Sequence, residues 1–267
     1  MTQMPAAADH APPPRAAARI NKIDSADLRT ALIDGWCDFA AEPQYGLFFG
    51  LLYGAAGWSI ILLAAVSGYY YLAFPLAAGF ALIAPFIAVG LYEVSRRREA
   101  GLAVSWSDVS GAMTGSGKRD LGWMALVTAF SFFIWIDIAI LIYAMFYGFT
   151  VPGLWALAAD IVTTRHGLLF FATGNLVGAC FAWFMFTISV VSFPMLLDRD
   201  VDFVTAMLTS ARAVRKNRTT MLVWALIIAV FLALSIATAF AGLILVLPWL
   251  AHASWHIYRS VIAPGAE

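Results

Sequence analysis

Long apolar runs separated by short polar stretches dominate the chain. Six of these runs are close to or above the ~20 residues that cross a bilayer as a helix. Hydrocarbon favours helices because each backbone N–H and C=O must then be bonded within its own segment. The runs cover residues 45–67, 72–94, 121–147, 168–196, 221–237 and 241–258. The pattern therefore predicts an all-α membrane protein with six transmembrane helices.

A different pattern comes before each pair of runs, because apolar residues there recur one helical turn apart among charged residues. In the first such stretch Leu28, Leu32 and Trp36 share one face, and Asp38 is among the charged residues that lie largely on other faces. Helices of this kind are too short and too charged to span a membrane, and they lie along its surface. Three are predicted, at residues 24–43, 102–113 and 200–216, with a short interfacial helix between 149 and 167.

Each surface helix and the two runs after it form one predicted unit, and two of the units are related in sequence. GFALIAPFIAVGLYEVSR from Gly79 and GLILVLPWLAHASWHIYR from Gly242 share the Gly, a Pro six residues later and a final Arg. They also share an aromatic residue, Tyr92 or Trp255, which is expected at the membrane interface. DLRTALI from Asp27 and DFVTAML from Asp202 are also alike. The units cover residues 24–98, 99–198 and 199–260. The middle unit is expected to match the others in architecture only.

The two ends of the chain are predicted to be tails. Residues 1–23 are rich in Ala and Pro and lack the apolar core of a signal peptide, and residues 261–267 follow the last run. A segment of this composition buries too little apolar surface to offset the entropy of ordering it. We therefore expect a retained, disordered N-terminal tail and one six-span domain at residues 24–260.

Composition agrees with a membrane protein and narrows the function classes. Hydrophobic residues make up 62% of the chain and charged residues 12%, with a mean hydropathy of +0.83, which is far from the balance of soluble domains. A formal net charge of zero provides no basic field for nucleic acid. Cys37 and Cys180 lie outside any metal-binding spacing and are expected to be packing residues.

The Lys and Arg residues predict the orientation. All of the 16 except Arg165 fall in the tail, the surface helices or the loops on one side of the predicted spans. Because Lys and Arg near span ends stay in the cytoplasm, we expect both termini to be cytoplasmic. The three surface helices would then lie on the inner leaflet, where their basic residues meet anionic headgroups.

Glycines on two predicted spans indicate close helix packing. Gly46, Gly50 and Gly54 recur every four residues on the first span, and Gly174 and Gly178 form a similar pair on the fourth. Small residues on one face allow another helix to approach closely. A glycine-lined pore is the functional alternative.

Three segments carry a resemblance to a known family. They are FPLAAGFALIAPFIAVGLYEVSRR at residues 74–97, SFPMLLDRD at residues 192–200 and LPWLAHASWHIYR at residues 247–259. They are similar to the bacterial integral membrane proteins catalogued as domain of unknown function 2189, over roughly residues 25–262. The family has no established activity, so the resemblance implies a bacterial inner-membrane location.

A candidate polar cluster lies near the inner ends of the predicted spans and consists of Glu93, Arg96, Asp198, His252, His256 and Arg259. His252 and His256 are four residues apart and share a helix face. Two His at this spacing can bind a metal ion or haem, although a site normally needs further ligands. The alternatives are a hydrogen-bonded cluster that locks the spans together and a proton or ion path.

A haem–copper oxidase centre is excluded because the chain has too few His residues to serve as its ligands. Some relatives of the family carry a cytochrome c oxidase subunit I label, and a haem–copper centre needs more His ligands than this chain has. It has four, of which His10 lies in the tail and His166 in a predicted outer loop. An accessory role beside an oxidase is still compatible with the sequence. No cofactor is expected, apart from the open option of haem or metal at His252 and His256.

Asp137 is the other ionisable group of interest. It lies about 24 Å along the third span from Leu121, in the outer half of the membrane and too far from His252 to pair with it. A charged side chain at such a depth costs at least ~2.5 kcal/mol. The structural interpretation is a neutral Asp that bonds to a Ser, Thr or Tyr of another helix, and the functional one is a solute or proton site.

These features favour a non-enzymatic accessory, assembly or scaffold protein. No nucleophile or phosphate-binding motif is evident, so an enzyme has no support. The expected partners are lipid and other inner-membrane proteins such as a respiratory complex; nucleic acid is not expected and a homo-oligomer stays open. The alternatives are a small-solute or proton-coupled transporter that uses Asp137 or the cluster of Glu93, His252 and His256, and a metal- or haem-binding membrane protein.

Overall fold

The computed structural model describes residues 19–69, 72–80, 84–114, 119–148, 150 and 153–263. These residues form thirteen α-helices. In order they are α1 (Ser25–Ala41), α2 (Pro43–Val66), α3 (Ala73–Phe80), α4 (Ala84–Ile87), α5 (Val89–Glu99), α6 (Trp106–Thr114), α7 (Arg119–Tyr147), α8 (Leu154–Thr163), α9 (Arg165–Ser189), α10 (Ser192–Asp198), α11 (Phe203–Lys216), α12 (Arg218–Ala237) and α13 (Leu243–Val261). The all-α prediction is confirmed for this part of the chain, whose β pairing is limited to an isolated bridge between Ile20 and Ile262.

Four helical segments are long and apolar enough to cross a membrane. They cover Pro43–Leu63, Arg119–Tyr147, Arg165–Asp198 and Arg218–Ala237, and they correspond to the predicted first, third, fourth and fifth spans. Most of their side chains are not buried within the protein, as expected for helices that contact lipid. A multi-pass membrane protein follows from these four segments.

The second and sixth predicted runs take a different form, so the six-span count stays a prediction. The second run is divided among α3, α4 and α5, and residues 81–83 lie outside the described part. The sixth forms α13, a single helix of 19 residues with Pro248 inside it. Because its second half carries His252, His256 and Arg259, α13 is less apolar than the four segments above.

Helix α13 is the centre of the fold and packs against α1, α2, α5, α10 and α12. Helix α2 runs antiparallel to it, with Gly46 facing Pro248 and Gly50 facing Ile244. A Cβ on Gly50 would lie 2.5 Å from the carbonyl oxygen of Ile244, a distance that real Cβ atoms do not adopt. The predicted close approach along the first glycine series is therefore confirmed.

Helix α1 makes an equally close approach to α13. A Cβ on Gly35 would lie 2.5 Å from the backbone nitrogen of Ala253. One turn away, the Trp249 indole N–H donates to the carbonyl oxygen of Leu32 at 2.8 Å, and the Trp36 ring meets the Trp249 ring edge-on. Gly35 thus allows α1 to lie directly on the backbone of α13.

The main buried core lies at one end of the bundle. There α1, α5 and α10 pack against the second half of α13, and α11 packs against α10. We call this region the basal layer. Its largest fully buried side chains include Phe193, Trp224 and Trp255. Tyr92 and Trp255, the aromatic residues of the repeated segment, are both buried in it, because the short helices cover the positions that the sequence pattern assigned to a membrane interface.

The predicted short helices are present as α1, α6 and α11, and the one predicted between 149 and 167 is α8. Asp24 caps α1 by accepting from the backbone N–H of Ala26 and Asp27, and Asp202 caps α11 by accepting from Thr205. Asp27, which matches Asp202 in the sequence alignment, is instead the third residue of its helix. The two aligned acids therefore have different structural roles.

The chain ends differ from the predicted tails. Residues 19–23 belong to the fold, since the Asn21 N–H donates to the Val261 carbonyl at 2.7 Å and the Ala263 N–H to that of Arg19 at 3.0 Å. Ile23 is buried, and its N–H donates to Asn217 Oδ1 at 2.9 Å. The rest of the predicted tails, residues 1–18 and 264–267, lies outside the described residues.

Some small residues were predicted incorrectly. Gly178 does contact α7, since its Cβ would lie 2.9 Å from the Trp135 ring, but Gly174 has nothing within 4 Å. Helices α7 and α9 therefore approach each other closely at Gly178 but not at Gly174, which lies one turn earlier on α9. Cys37 and Cys180, expected as packing residues, are both exposed, because they lie on the outward faces of α1 and α9.

Candidate functional site

The basal layer contains all six residues of the predicted polar cluster. Glu93 and Arg96 come from α5, Asp198 from the end of α10, and His252, His256 and Arg259 from α13. They do not form one site with the two His at its centre. They divide into three neighbouring groups, each organised around a carboxylate.

The first group is centred on Asp38 of α1, which the sequence interpretation placed among the charged residues outside the apolar stripe. Asp38 is in fact buried, because it continues the stripe of Leu28, Ala31 and Gly35 at a spacing of three or four residues. That spacing was the sequence signal that pointed to it. The charged residue lies on the packed face of α1, directly against α13.

Two donors bond to the Asp38 carboxylate. His256 Nε2 lies 2.8 Å from Oδ2, and Arg98 Nε donates to Oδ1 at 2.8 Å. Ser95 also lowers the pKa of this carboxylate. Burial alone would raise the pKa of Asp38, but these hydrogen bonds, that of His256 first, outweigh burial and lower the pKa to about 2. Asp38 is therefore ionised throughout the physiological pH range.

His252 is connected to this group through Ser95. Its side chain is 0% exposed, and its Nδ1 lies 2.7 Å from Ser95 Oγ. His252 Nε2 has no hydrogen-bond partner among the described residues. His252 is therefore a fully buried His that is held through one ring nitrogen.

The second group is centred on Glu93, which is buried. Arg96 binds its carboxylate with both fork nitrogens, Nε at 2.7 Å from Oε2 and Nη2 at 2.8 Å from Oε1. Arg97 lies 3.8 Å from the same carboxylate and 3.2 Å from Asp108 of α6. Glu93 is therefore bound by arginines of its own helix, and this group joins α5 to α6.

The third group is centred on Asp198 at the end of α10. The Tyr258 hydroxyl donates to it at 2.6 Å, and Arg259 Nη1 lies 3.6 Å away. Arg259 Nε also donates to Glu99 at 2.9 Å, and the Trp255 indole N–H donates to Glu99 at 3.0 Å. These contacts tie α13 to both α5 and α10.

The contacts limit the chemistry that the cluster performs. Each central carboxylate is already held by an arginine and by further donors, and His256 is bonded to Asp38. Within the described ranges, no group of three or more His, Cys, Asp or Glu side chains is placed to hold a metal ion. The arrangement fits the predicted hydrogen-bonded cluster that locks helices together.

Asp137 lies far from these groups, on α7. The buried residues of α7 include Ser131, Trp135 and Ala139, and Asp137 is two positions after Trp135, which places it on the opposite face. It is exposed. Its neighbours on that face are large and apolar and are exposed as well: Leu126, Phe130, Phe133, Leu141 and Met145.

The Asp137 carboxyl has no hydrogen bond or ion pair with any described residue. The predicted bond to a Ser, Thr or Tyr of another helix is therefore not formed within this part of the chain. An ionisable group in the middle of a lipid-facing apolar surface is costly. Asp137 is thus the one predicted site residue that the fold does not use.

A family described as predicted integral membrane protein (DUF2189) matches residues 73–198. The matched region begins with α3 and ends with α10, so it contains Glu93, Asp137 and Asp198, whereas α1 and α13 lie outside it. No curated protein and no solved structure matches the chain.

Proposed function

We propose that this chain, which carries the DUF2189 integral membrane domain, is a non-enzymatic accessory or scaffold protein of the bacterial inner membrane. It has six spans in three units, with both termini in the cytoplasm, and binds another membrane protein through the outer face of α7. The observation that carries the proposal is Asp137, an acid that has no partner among the described residues and lies at the centre of an exposed apolar helix face.

The chemistry of this face indicates the kind of partner. Phe130, Phe133 and Leu141 provide apolar area that packs against another helix, and Asp137 requires a hydrogen-bond donor or a cation at the same depth. Polar side chains that bond across helices stabilise association in membranes by about 1 kcal/mol or more. The partner is therefore a transmembrane helix with a Lys, Arg or other donor near its middle.

A second copy of the chain fits this face less well. The chain's Lys and Arg residues lie in its tails, surface helices and loops or at span ends, so a second α7 would bring only another Asp137 to this depth. Two such acids can share one proton, but they leave the remaining charge without a cation. A heterologous partner supplies the missing donor directly.

The transporter alternative is less well supported by the same residues. A solute or proton site of a monomeric transporter faces the interior of the bundle, whereas Asp137 is on its outer surface. Glu93, the other carboxylate in that hypothesis, is held by two bonds from Arg96. These contacts explain Glu93 as part of a structural lock.

Site-specific photocross-linking in living cells tests the proposal. A photoreactive residue replaces Phe133, which is 64% exposed one turn before Asp137, or, as the control, Val230 of α12, which is 56% exposed. We expect one discrete cross-linked protein from position 133, none from position 230, and loss of the product in Asp137→Leu with retention in Asp137→Glu. The cross-linked peptide of the partner should carry a basic residue near its middle.

Two results would contradict the proposal. One is cross-linking to lipid alone at both positions. The other is a protein product that is unchanged by Asp137→Leu, because the acid would then play no part in the contact. If the cross-linked product contains only a second copy of the chain, the partner is not heterologous and the α7 face forms a homodimer.

A further inference from the structure

A cavity of about 410 Å³ lies between α9 and α12, with α4, α5 and α13 behind it. Its walls are almost wholly apolar. Small side chains on the two facing helices create the space: Ala179 and Ala182 on α9, and Ala225 and Ala229 on α12. The volume is within the roughly 300–1,000 Å³ of ligand sites.

Two hydroxyl groups on the basal side of this cavity have no hydrogen-bond partner in the described part of the chain. Tyr92 of α5 is 4% exposed and Ser189 at the end of α9 is 7% exposed, and both line the cavity. Neither hydroxyl bonds to any described residue. Ser254 also lines the cavity, but its hydroxyl donates to the Leu250 carbonyl at 2.7 Å. The two unpaired hydroxyls are therefore free to bond an oxygen of a ligand.

The residues of α12 that line the cavity indicate the shape of that ligand. Leu222, Ala225, Ala229 and Leu232 recur every three or four residues along one face, which is a stripe about 15 Å long. Since α12 is one of the apolar membrane-crossing segments, this stripe runs from near the basal end toward the middle of the membrane. A long, narrow apolar site open to lipid is suited to a hydrocarbon chain.

The same stripe begins with a cation. Arg218 precedes Leu222 by one turn, is exposed, and has no ion pair with any described residue. As the first residue of α12, it lies at the edge of the apolar segment, where lipid phosphates are found. The order along the stripe is thus a cation, two hydroxyls on the neighbouring helices, and then an apolar channel.

We propose that this cavity binds one acyl chain of an anionic glycerophospholipid. The ester carbonyl of that chain accepts hydrogen bonds from Tyr92 and Ser189, and the phosphate lies against Arg218. Uncharged lipophilic molecules such as quinones would use the channel and the hydroxyls but not the cation. The site is independent of the α7 face, which lies on a different helix.

Native mass spectrometry of the purified full-length protein in detergent tests the site with phosphatidylglycerol as the probe. We expect one tightly held lipid on the wild type and on the control Ser131→Ala, which lies on α7 outside the cavity lining and whose hydroxyl is already bonded to the Val127 carbonyl. The double variant Tyr92→Phe with Ser189→Ala should bind about tenfold more weakly, because two hydrogen bonds are lost. Ala225→Leu, which fills the channel with an apolar side chain in an apolar segment, should also lose the lipid, and thermal unfolding checks that each variant is folded.

Two further measurements distinguish an anionic phospholipid from an uncharged lipid as the ligand. Arg218→Gln should weaken binding of phosphatidylglycerol but not of diacylglycerol, which has the same ester carbonyls and no phosphate. The inference is overturned if ubiquinone or diacylglycerol displaces phosphatidylglycerol at equal concentration. It is also overturned if the folded double variant and Ala225→Leu retain the lipid as the wild type does.

Discussion

Carboxylates in two regions of this protein have opposite surroundings. In the basal layer Asp38, Glu93 and Asp198 are each held by an arginine and by one or more further donors. On the outer face of α7, Asp137 is exposed among Phe and Leu side chains and has no partner in the described chain. The paired acids are explained by the stability of the fold, and the unpaired one is not. Function is therefore better sought at Asp137.

The largest effect is expected from separating α1 from α13, because the bond between Asp38 and His256 needs both helices in contact. Gly35→Leu would place a side chain where even a Cβ lies 2.5 Å from the Ala253 backbone, at a cost at or above the ~3 kcal/mol upper end for overpacking. Gly111→Leu on α6 is the matched control, because a Cβ on that glycine would have no atom of the described residues within 4 Å. The measurement is the free energy of unfolding in detergent, and equal values for the two variants would refute the close contact.

A smaller loss is expected when the centre of the paired region is neutralised. Asp38→Asn removes the charge that accepts from His256 and Arg98 and should lower the free energy of unfolding by roughly 2 kcal/mol. Asp34→Asn on the same helix is the control, since Asp34 has no hydrogen bond or ion pair with any described residue, and it should change stability by less than ~0.5 kcal/mol. Similar losses for both would mean that the Asp38 contacts contribute little.

The pH dependence of that loss sharpens the comparison further. The pKa of Asp38 is lowered from 3.8 to about 2 in the fold, so its contribution is complete above its unfolded pKa and disappears as the pH falls through about 2. The difference in unfolding free energy between wild type and Asp38→Asn should therefore persist at pH 5 and shrink from about pH 4 toward pH 2. A difference that already vanishes between pH 7 and pH 5 would assign the effect to another group.

Local patterns in the sequence were sufficient for the four membrane-crossing helices and for one packing surface. Apolar length identified those four segments among six predicted ones, and the spacing of Gly46 and Gly50 identified the face of α2 that packs closely against another helix, which is α13. Asp38 was missed because its role depends on α13, whose position across α1 is set by tertiary packing and not by local pattern. The same packing buries Tyr92 and Trp255, which the sequence alone placed at a membrane interface.

The smallest effect on stability is expected at Asp137, and here the two regions should differ most clearly. Because Asp137 has no hydrogen bond or ion pair with any described residue, Asp137→Leu should change the free energy of unfolding in detergent by less than ~0.5 kcal/mol, in contrast to Asp38→Asn. A loss as large as that of Asp38→Asn would show that the fold depends on Asp137 after all.

Association with a synthetic helix tests the role of Asp137 most directly. The full-length protein and a Leu-rich helix of about 20 residues are labelled and reconstituted in phosphatidylcholine vesicles, and energy transfer between them is measured for helices with a central Lys or a central Leu. We predict that the wild type binds the Lys helix roughly tenfold more tightly than the Leu helix, and that Asp137→Leu abolishes this preference. Equal binding of the two helices by the wild type, or a preference that survives Asp137→Leu, would contradict the account.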